Sequence, residues 1–140
     1  MTAANGPLLI VEDDADIREA LQGYLELQGY TVRAASNGKE ALEYMGTPPR
    51  PALILLDMAL PVMDGHRVLT TRKASSVLAE VPVVILSAGM AAMNPRDRAV
   101  YASSYDVAAF LKKPVEPRRL LEVIERHALK SSGAQADTSP

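Results

Sequence analysis

A few residues in this chain could do chemistry together: the acidic run Glu12-Asp13-Asp14, Asp57 closing an apolar run, Ser87 closing another, and Lys113 directly before Pro114. Singly, each is weak, because an acidic residue at a strand end commonly caps the helix that follows. As a group they imply more. Carboxylates at the ends of adjacent strands repel unless a cation lies between them, and hard oxygen ligands suit Mg²⁺, which keeps several of its waters. An aspartate beside such an ion can act as a nucleophile toward phosphorus and form an aspartyl phosphate. Phosphoryl transfer depends mainly on positioning and on neutralising the equatorial oxygens. The ion would neutralise one, Lys113 would pair with a second, and the Ser87 hydroxyl with backbone N–H groups would bind the third.

These residues need elements that bring them to one place. Leu8-Leu9-Ile10-Val11 reads as a buried strand that stops at the acidic run. From Asp16 to Gln28, Ile17, Leu21, Tyr24 and Leu25 recur at helical spacing, with Gly29 as terminator. Tyr30 to Ala35 is a second strand, and Asn37 caps a helix through Met45 with Glu40 in capping-box position. Ala52-Leu53-Ile54-Leu55-Leu56 is continuously apolar, the pattern of a strand buried on both faces, and runs into Asp57. Pro82 to Leu86 repeats this before Ser87, and Ala108 to Leu111 does so before Lys112-Lys113-Pro114. Helices are expected from near Gly65, from near Pro95 behind an Asn94 cap, and from near Pro117, where Leu120, Leu121, Ile124 and Ala128 form a stripe. Strand and helix thus alternate five times, which calls for an α/β fold with a doubly wound parallel sheet. In such sheets ligands collect at the carboxyl ends of the strands, where the acidic residues, Ser87 and Lys113 fall.

The 140 residues suit one domain, and 48% hydrophobic with 23% charged residues is an ordinary globular balance. A net charge of -2 gives no basic surface for nucleic acid, so partners are expected to be proteins. The absence of cysteine excludes disulfides, thiolate metal sites and cysteine nucleophiles. Residues 1–7 lack the marks of a secretory signal, and no apolar run is long enough to span a bilayer, so a cytoplasmic location without membrane partners is the expectation. Residues 1–7 are expected to be flexible, 8–129 to form the domain, and 130–140 to be a disordered tail.

The chain resembles the receiver domains of two-component response regulators, the CheY-like family. The matching stretches are Leu8 to Asp14, Leu55 to Gly65 with Asp57, Pro61 and Asp64-Gly65 at the family's spacing, Val84 to Ala88, and Phe110 to Pro114. The resemblance implies a flavodoxin-like (βα)5 fold with strand order 2-1-3-4-5. It implies phosphorylation of Asp57 by a histidine kinase or phosphotransfer protein. It makes Asp13, Asp57 and the Ala59 backbone carbonyl Mg²⁺ ligands, has Glu12 act through water, and leaves Asp14 as a helix cap. Ser87 and Lys113 become phosphate-binding residues, and Ser87 and Phe110 the switch pair. The Lys113–Pro114 bond is expected to be cis. Output is expected through the fourth helix, fifth strand and fifth helix to a separate, unidentified protein, by a monomer or a phosphorylation-dependent dimer that is not an enzyme.

The segment from Ser87 to Lys113 is about four residues longer than the family pattern. Asp106-Val107 stands where a Gly-Ala usually precedes the last strand. We expect this segment to set partner choice. Ala59 and Gly89 cannot orient a hydrolytic water, so phosphate loss is expected to be slow. His66 and His127 lack metal-ligand spacing and read as surface residues. Three other readings are a phosphorylation-independent docking module, which the complete residue set opposes, a receiver fragment of a larger regulator, and an aspartate-dependent phosphatase. The last would want a carboxylate where Ala59 stands.

Overall fold

A computed structural model describes residues 4–57, 62–87 and 94–130. The strands are β1 (Leu8–Val11), β2 (Val32–Ala35), β3 (Leu53–Asp57), β4 (Val83–Ser87) and β5 (Val107–Lys112). The helices are α1 (Ala15–Leu27), α2 (Gly38–Met45), α3 (Val62–Ala74), α4 (Pro95–Tyr105) and α5 (Pro117–His127). All strands pair in parallel in the order β2-β1-β3-β4-β5, as the resemblance implied. The third helix starts at Val62, three residues ahead of the expected Gly65.

The continuous apolar runs are explained by burial on both sides of the sheet. Leu8, Ile10, Leu53, Leu55, Val84 and Leu86 pack with Leu25 of α1 and with Leu120, Val123 and Ile124 of α5. Their alternate neighbours Leu9, Val11, Ile54, Leu56, Val83 and Ile85 pack with Ala41 and Met45 of α2 and with Val68 and Leu69 of α3. Because successive strand residues point to opposite faces, one apolar run serves two cores.

The helix starts are made as the residue types dictate. Asp14 caps α1 by accepting from the Ile17 N–H at 3.0 Å, and Asn37 caps α2 by accepting from the Glu40 N–H at 2.9 Å. Glu40 reaches back to the Ser36 N–H at 2.7 Å. Before β1, residues 4–7 make backbone contacts with the rest of the fold. The Asn5 N–H donates to the Leu129 carbonyl at 2.7 Å, the Ala52 N–H donates to the Pro7 carbonyl at 2.8 Å, and Ala4 forms an antiparallel bridge with Lys130. Of the expected tail, Lys130 is therefore paired, and 131–140 lie outside the described residues, as do 1–3.

The departure before the last strand takes a definite form. Asp106 sits at φ 55°, the left-handed conformation that glycine adopts most freely and that aspartate tolerates better than most residues. The register then skips Ala108, since Val83 pairs with Val107 while Val84 pairs with Ala109. This bulge lets Val107 and Phe110 face the α2–α3 side while Ala109 and Leu111 face α1 and α5.

The fourth helix is held by α3. It has no basic residue in its own last turn, where the terminal carbonyls lack intrahelical partners. Arg72 supplies one donor, from Nη1 to the Tyr105 carbonyl at 2.8 Å, while its Nε donates to the Val81 carbonyl at 2.8 Å. Lys73 Nζ donates to the Ser104 carbonyl. Two cations thus meet the negative end of the helix dipole. Arg72 is 3% exposed, and burial lowers its pKa against the opposing charge of Asp106. Replacing Arg72 with methionine should leave two carbonyls without their charged donor and lower unfolding free energy by about 2–3 kcal/mol in chemical denaturation.

Candidate functional site

Two loops and two strand ends converge where β1 and β3 finish. Glu12 follows β1 and its N–H donates to the Ala35 carbonyl at 3.0 Å, the last link of the acidic loop to the sheet. Asp57 is the final residue of β3, and Lys113 follows β5. Glu12 and Asp57 are each 1% exposed, whereas Asp13 is exposed at the rim. One carboxylate oxygen from each of Glu12, Asp13 and Asp57 lies within 4.8 Å of the others.

Lys113 is drawn into this acidic site. Its Nζ lies 2.7 Å from Asp57 Oδ2 and 3.3 Å from Glu12 Oε1. The Lys113–Pro114 bond is cis, as expected. Burial alone would lower the lysine pKa, but the hydrogen bond and charge of Asp57, with those of Glu12, outweigh it and hold the pKa above 10.5. Glu12 responds in the opposite way. Burial, a hydrogen bond with Asp57 and the negative charge of Asp57 push it from 4.5 to about 7, against the Asp14 N–H and Lys113. The Asp14 N–H donates to Glu12 Oε2 at 3.2 Å, so both Glu12 oxygens are engaged.

The donor set fits a small hard cation. Oxygens bound at about 2.1 Å to one octahedral ion lie roughly 3–4 Å apart, so the Asp13 and Asp57 oxygens need close only slightly around it, with Glu12 near enough to act through a bound water. Asp14 is committed to the α1 cap, which leaves Asp13 as the rim carboxylate of the cluster.

Of the remaining expected residues, Ser87 is placed by its backbone. It ends β4 one residue beyond Leu86, the register partner of Asp57, and pairs with Lys112 on β5. Ala59 and Gly89 lie outside the described residues. Phe110 is half-buried and lines two clefts, one of about 370 Å³ with Pro95, Ala99 and Ala102 and one of about 460 Å³ with Pro114 and residues of α5.

Two features were not legible as such. His66, read as a surface residue, is half-buried with Nδ1 3.0 Å from the Tyr105 hydroxyl and joins α3 to α4. Arg18 reaches back from α1 to the carbonyls of the acidic loop, with Nη1 2.9 Å from that of Glu12 and 3.5 Å from that of Asp13. A helical spacing of four from Asp14 was its only signal.

The Glu12 shift has a consequence for stability. A raised carboxyl pKa favours folding fully below the unfolded value of 4.5, and that contribution is lost as pH rises through about 7. The protein free of divalent ions should therefore lose stability between pH 5 and pH 8. Replacing Glu12 with glutamine should flatten this dependence and raise stability at pH 8 by about 1 kcal/mol, solvent at the mouth of the site screening the rest. Thermal melts across that range in the presence of a chelator measure both.

Comparison with known proteins bears on the same residues. The family model described as the response regulator receiver domain matches residues 8–125. The two-component response regulator ORR5 of Oryza sativa subsp. japonica is 34% identical over 119 residues, covering 85% of this chain and 86% of its own. The probable transcriptional regulator ycf29 of Pyropia yezoensis is 34% identical over 135 residues, covering 91% of this chain, which spans only 57% of that relative. Among solved structures, the Vibrio cholerae chemotaxis protein CheY4 superposes with a TM-score of 0.76 at 26% identity, over 89% of this chain and 99% of its own. With its parallel sheet ordered β2-β1-β3-β4-β5 and a family match across nearly all its elements, the chain belongs to the response regulator receiver domains of two-component systems.

Proposed function

We propose that this receiver accepts a phosphoryl group on Asp57 from a histidine kinase or phosphotransfer protein and passes the change to a separate protein. The observation that carries the reading is Asp57 itself: buried at the end of β3, 2.7 Å from Lys113 Nζ, and clustered with the oxygens of Glu12 and Asp13. An Asp57 oxygen attacks phosphorus, the phosphorus–nitrogen bond to the donor histidine breaks, and the imidazole leaves as the acyl phosphate forms. Mg²⁺, held by Asp13 and Asp57 directly and by Glu12 through water, supplies positive charge to the phosphoryl oxygens when bound. Lys113 is already at the site, and exchanging a carboxylate oxygen for a phosphoryl oxygen requires little movement of its ammonium group.

Ser87, at the end of the neighbouring strand, is the proposed hydroxyl donor to the phosphoryl group, and Phe110 is its partner in the switch. Phe110 lines two clefts, one beside α4 and one beside α5, and a change of its rotamer would alter the surface formed by α4, β5 and α5. In this reading residues 8–129 are the signalling unit, a phosphoacceptor and not an enzyme. It works in the cytoplasm, and no helix among the described residues is long and apolar enough to cross a membrane.

Incubation with acetyl phosphate and Mg²⁺ should add the mass of one phosphoryl group, and chelation of the metal or Asp57→Asn should abolish the addition. A wild type that takes up neither the phosphoryl group nor beryllofluoride would replace this reading with that of a phosphorylation-independent docking module.

A further inference from the structure

The acidic loop poses a problem of backbone hydrogen bonding. Glu12 makes the last described bond of the loop to the sheet through its N–H, and the first intrahelical bond of α1 runs from the Arg18 N–H to the Asp14 carbonyl at 2.9 Å. The carbonyls of Glu12 and Asp13 fall between, beyond the strand ladder and ahead of the helix. Polar backbone groups in such a gap need a partner from elsewhere. Among the described residues Arg18 supplies that partner: its Nη1 lies 2.9 Å from the Glu12 carbonyl oxygen and 3.5 Å from that of Asp13. One guanidinium nitrogen therefore spans both peptide groups whose side chains enter the carboxylate cluster.

We propose that Arg18 is a positioning residue for the divalent cation, its guanidinium clamping the Glu12 and Asp13 carbonyls so that both carboxylates are held toward Asp57. This inference rests on the reading of the cluster as a Mg²⁺ site. The side chain is half-buried and is anchored in the first turns of α1, a rigid element, while its target is the three-residue loop Glu12-Asp13-Asp14. Asp13 is the residue that most needs such support. It is exposed, with neither the ladder bond that fixes Glu12 nor the strand that fixes Asp57.

The clamp and the charge of Arg18 act in opposite directions on a bound cation. A positive group beside the site repels a second cation, so if charge were its whole effect, removing it would tighten Mg²⁺ binding. If the clamp dominates, removal loosens binding. Groups that orient metal ligands from outside typically change affinity 10–100-fold when removed, and contact through backbone carbonyls places Arg18 at the lower end, about tenfold.

Calorimetric titration of Mg²⁺ into the metal-free protein tests this with Arg18→Met, which keeps an unbranched helix-forming stem without donors or charge. Its affinity should fall about tenfold. The Mg²⁺ concentration giving half-maximal labelling by acetyl phosphate should rise in proportion, while the rate at saturating Mg²⁺ stays at the wild-type level. A merely structural role would move the melting temperature without separating these two quantities. Arg18→Lys keeps the charge with a shorter, single-nitrogen donor and should fall between the two. Mg²⁺ binding by Arg18→Met as tight as wild type, or tighter, overturns the inference. Should that variant fail to fold, Arg18→Lys decides, and an affinity equal to wild type overturns it. A wild type that binds no Mg²⁺ overturns the reading of the site as well, which keeps the two failures apart.

Discussion

Lys113 joins two buried carboxylates that belong to different strands, and much of the molecule is arranged around that contact. Glu12 and Asp57 are almost wholly shielded from water, where two negative charges would be intolerable without a compensating cation or a shared proton. Lys113 supplies the cation, 2.7 Å from one and 3.3 Å from the other. Its strand is not adjacent to that of Asp57, since β4 lies between them. Neighbouring strands are about 4.8 Å apart, so the lysine must span the end of β4 to reach β3. Only a long side chain can do this, and β4 ends there on Ser87, a small residue. Burial and the neighbouring Asp57 raise the Glu12 pKa to about 7, so the same arrangement weakens its hold on negative charge.

The proposed signalling role places an opposite demand, for a surface that can change while the site stays intact, on α4 and β5. The C-terminal turn of α4 is gripped by Arg72, Lys73 and His66 of α3, which satisfy its carbonyls and the Tyr105 hydroxyl. Phe110, by contrast, lines two clefts. The αL residue Asp106 and the bulge at Ala108 are the local means by which an unusual lead-in still delivers Phe110 to the correct face.

Much of the architecture was legible before any coordinates. Four or five apolar residues ending on Glu12, Asp57 or Ser87 could only be strands buried on both faces, and their alternation with helical periodicity required parallel pairing. Caps such as Asp14 and Asn37 were readable because a short polar side chain bonding the backbone three residues on is a local matter. The acidic residues, Asp57 and Lys113 were identified by type and position at strand ends, again a short-range pattern. The serine was grouped with them on the same pattern, and its backbone ends β4 one residue beyond the partner of Asp57.

What the amino-acid order could not convey was which side chains meet across long gaps in the chain. The ion pair of Lys113 with Glu12 spans 101 residues, and the His66–Tyr105 contact spans 39. Such contacts depend on strand order and helix placement, which no local periodicity encodes. His66 read as a surface residue because it lacks metal-ligand spacing, yet it bonds Tyr105 of α4. Arg72 drew no notice in the sequence, yet it is buried and bonds the carbonyl end of α4. The residue types thus determined which chemistry was available and where the strands would end. The tertiary structure decided which charges share one low-dielectric space, and so which of them set the protonation of the others.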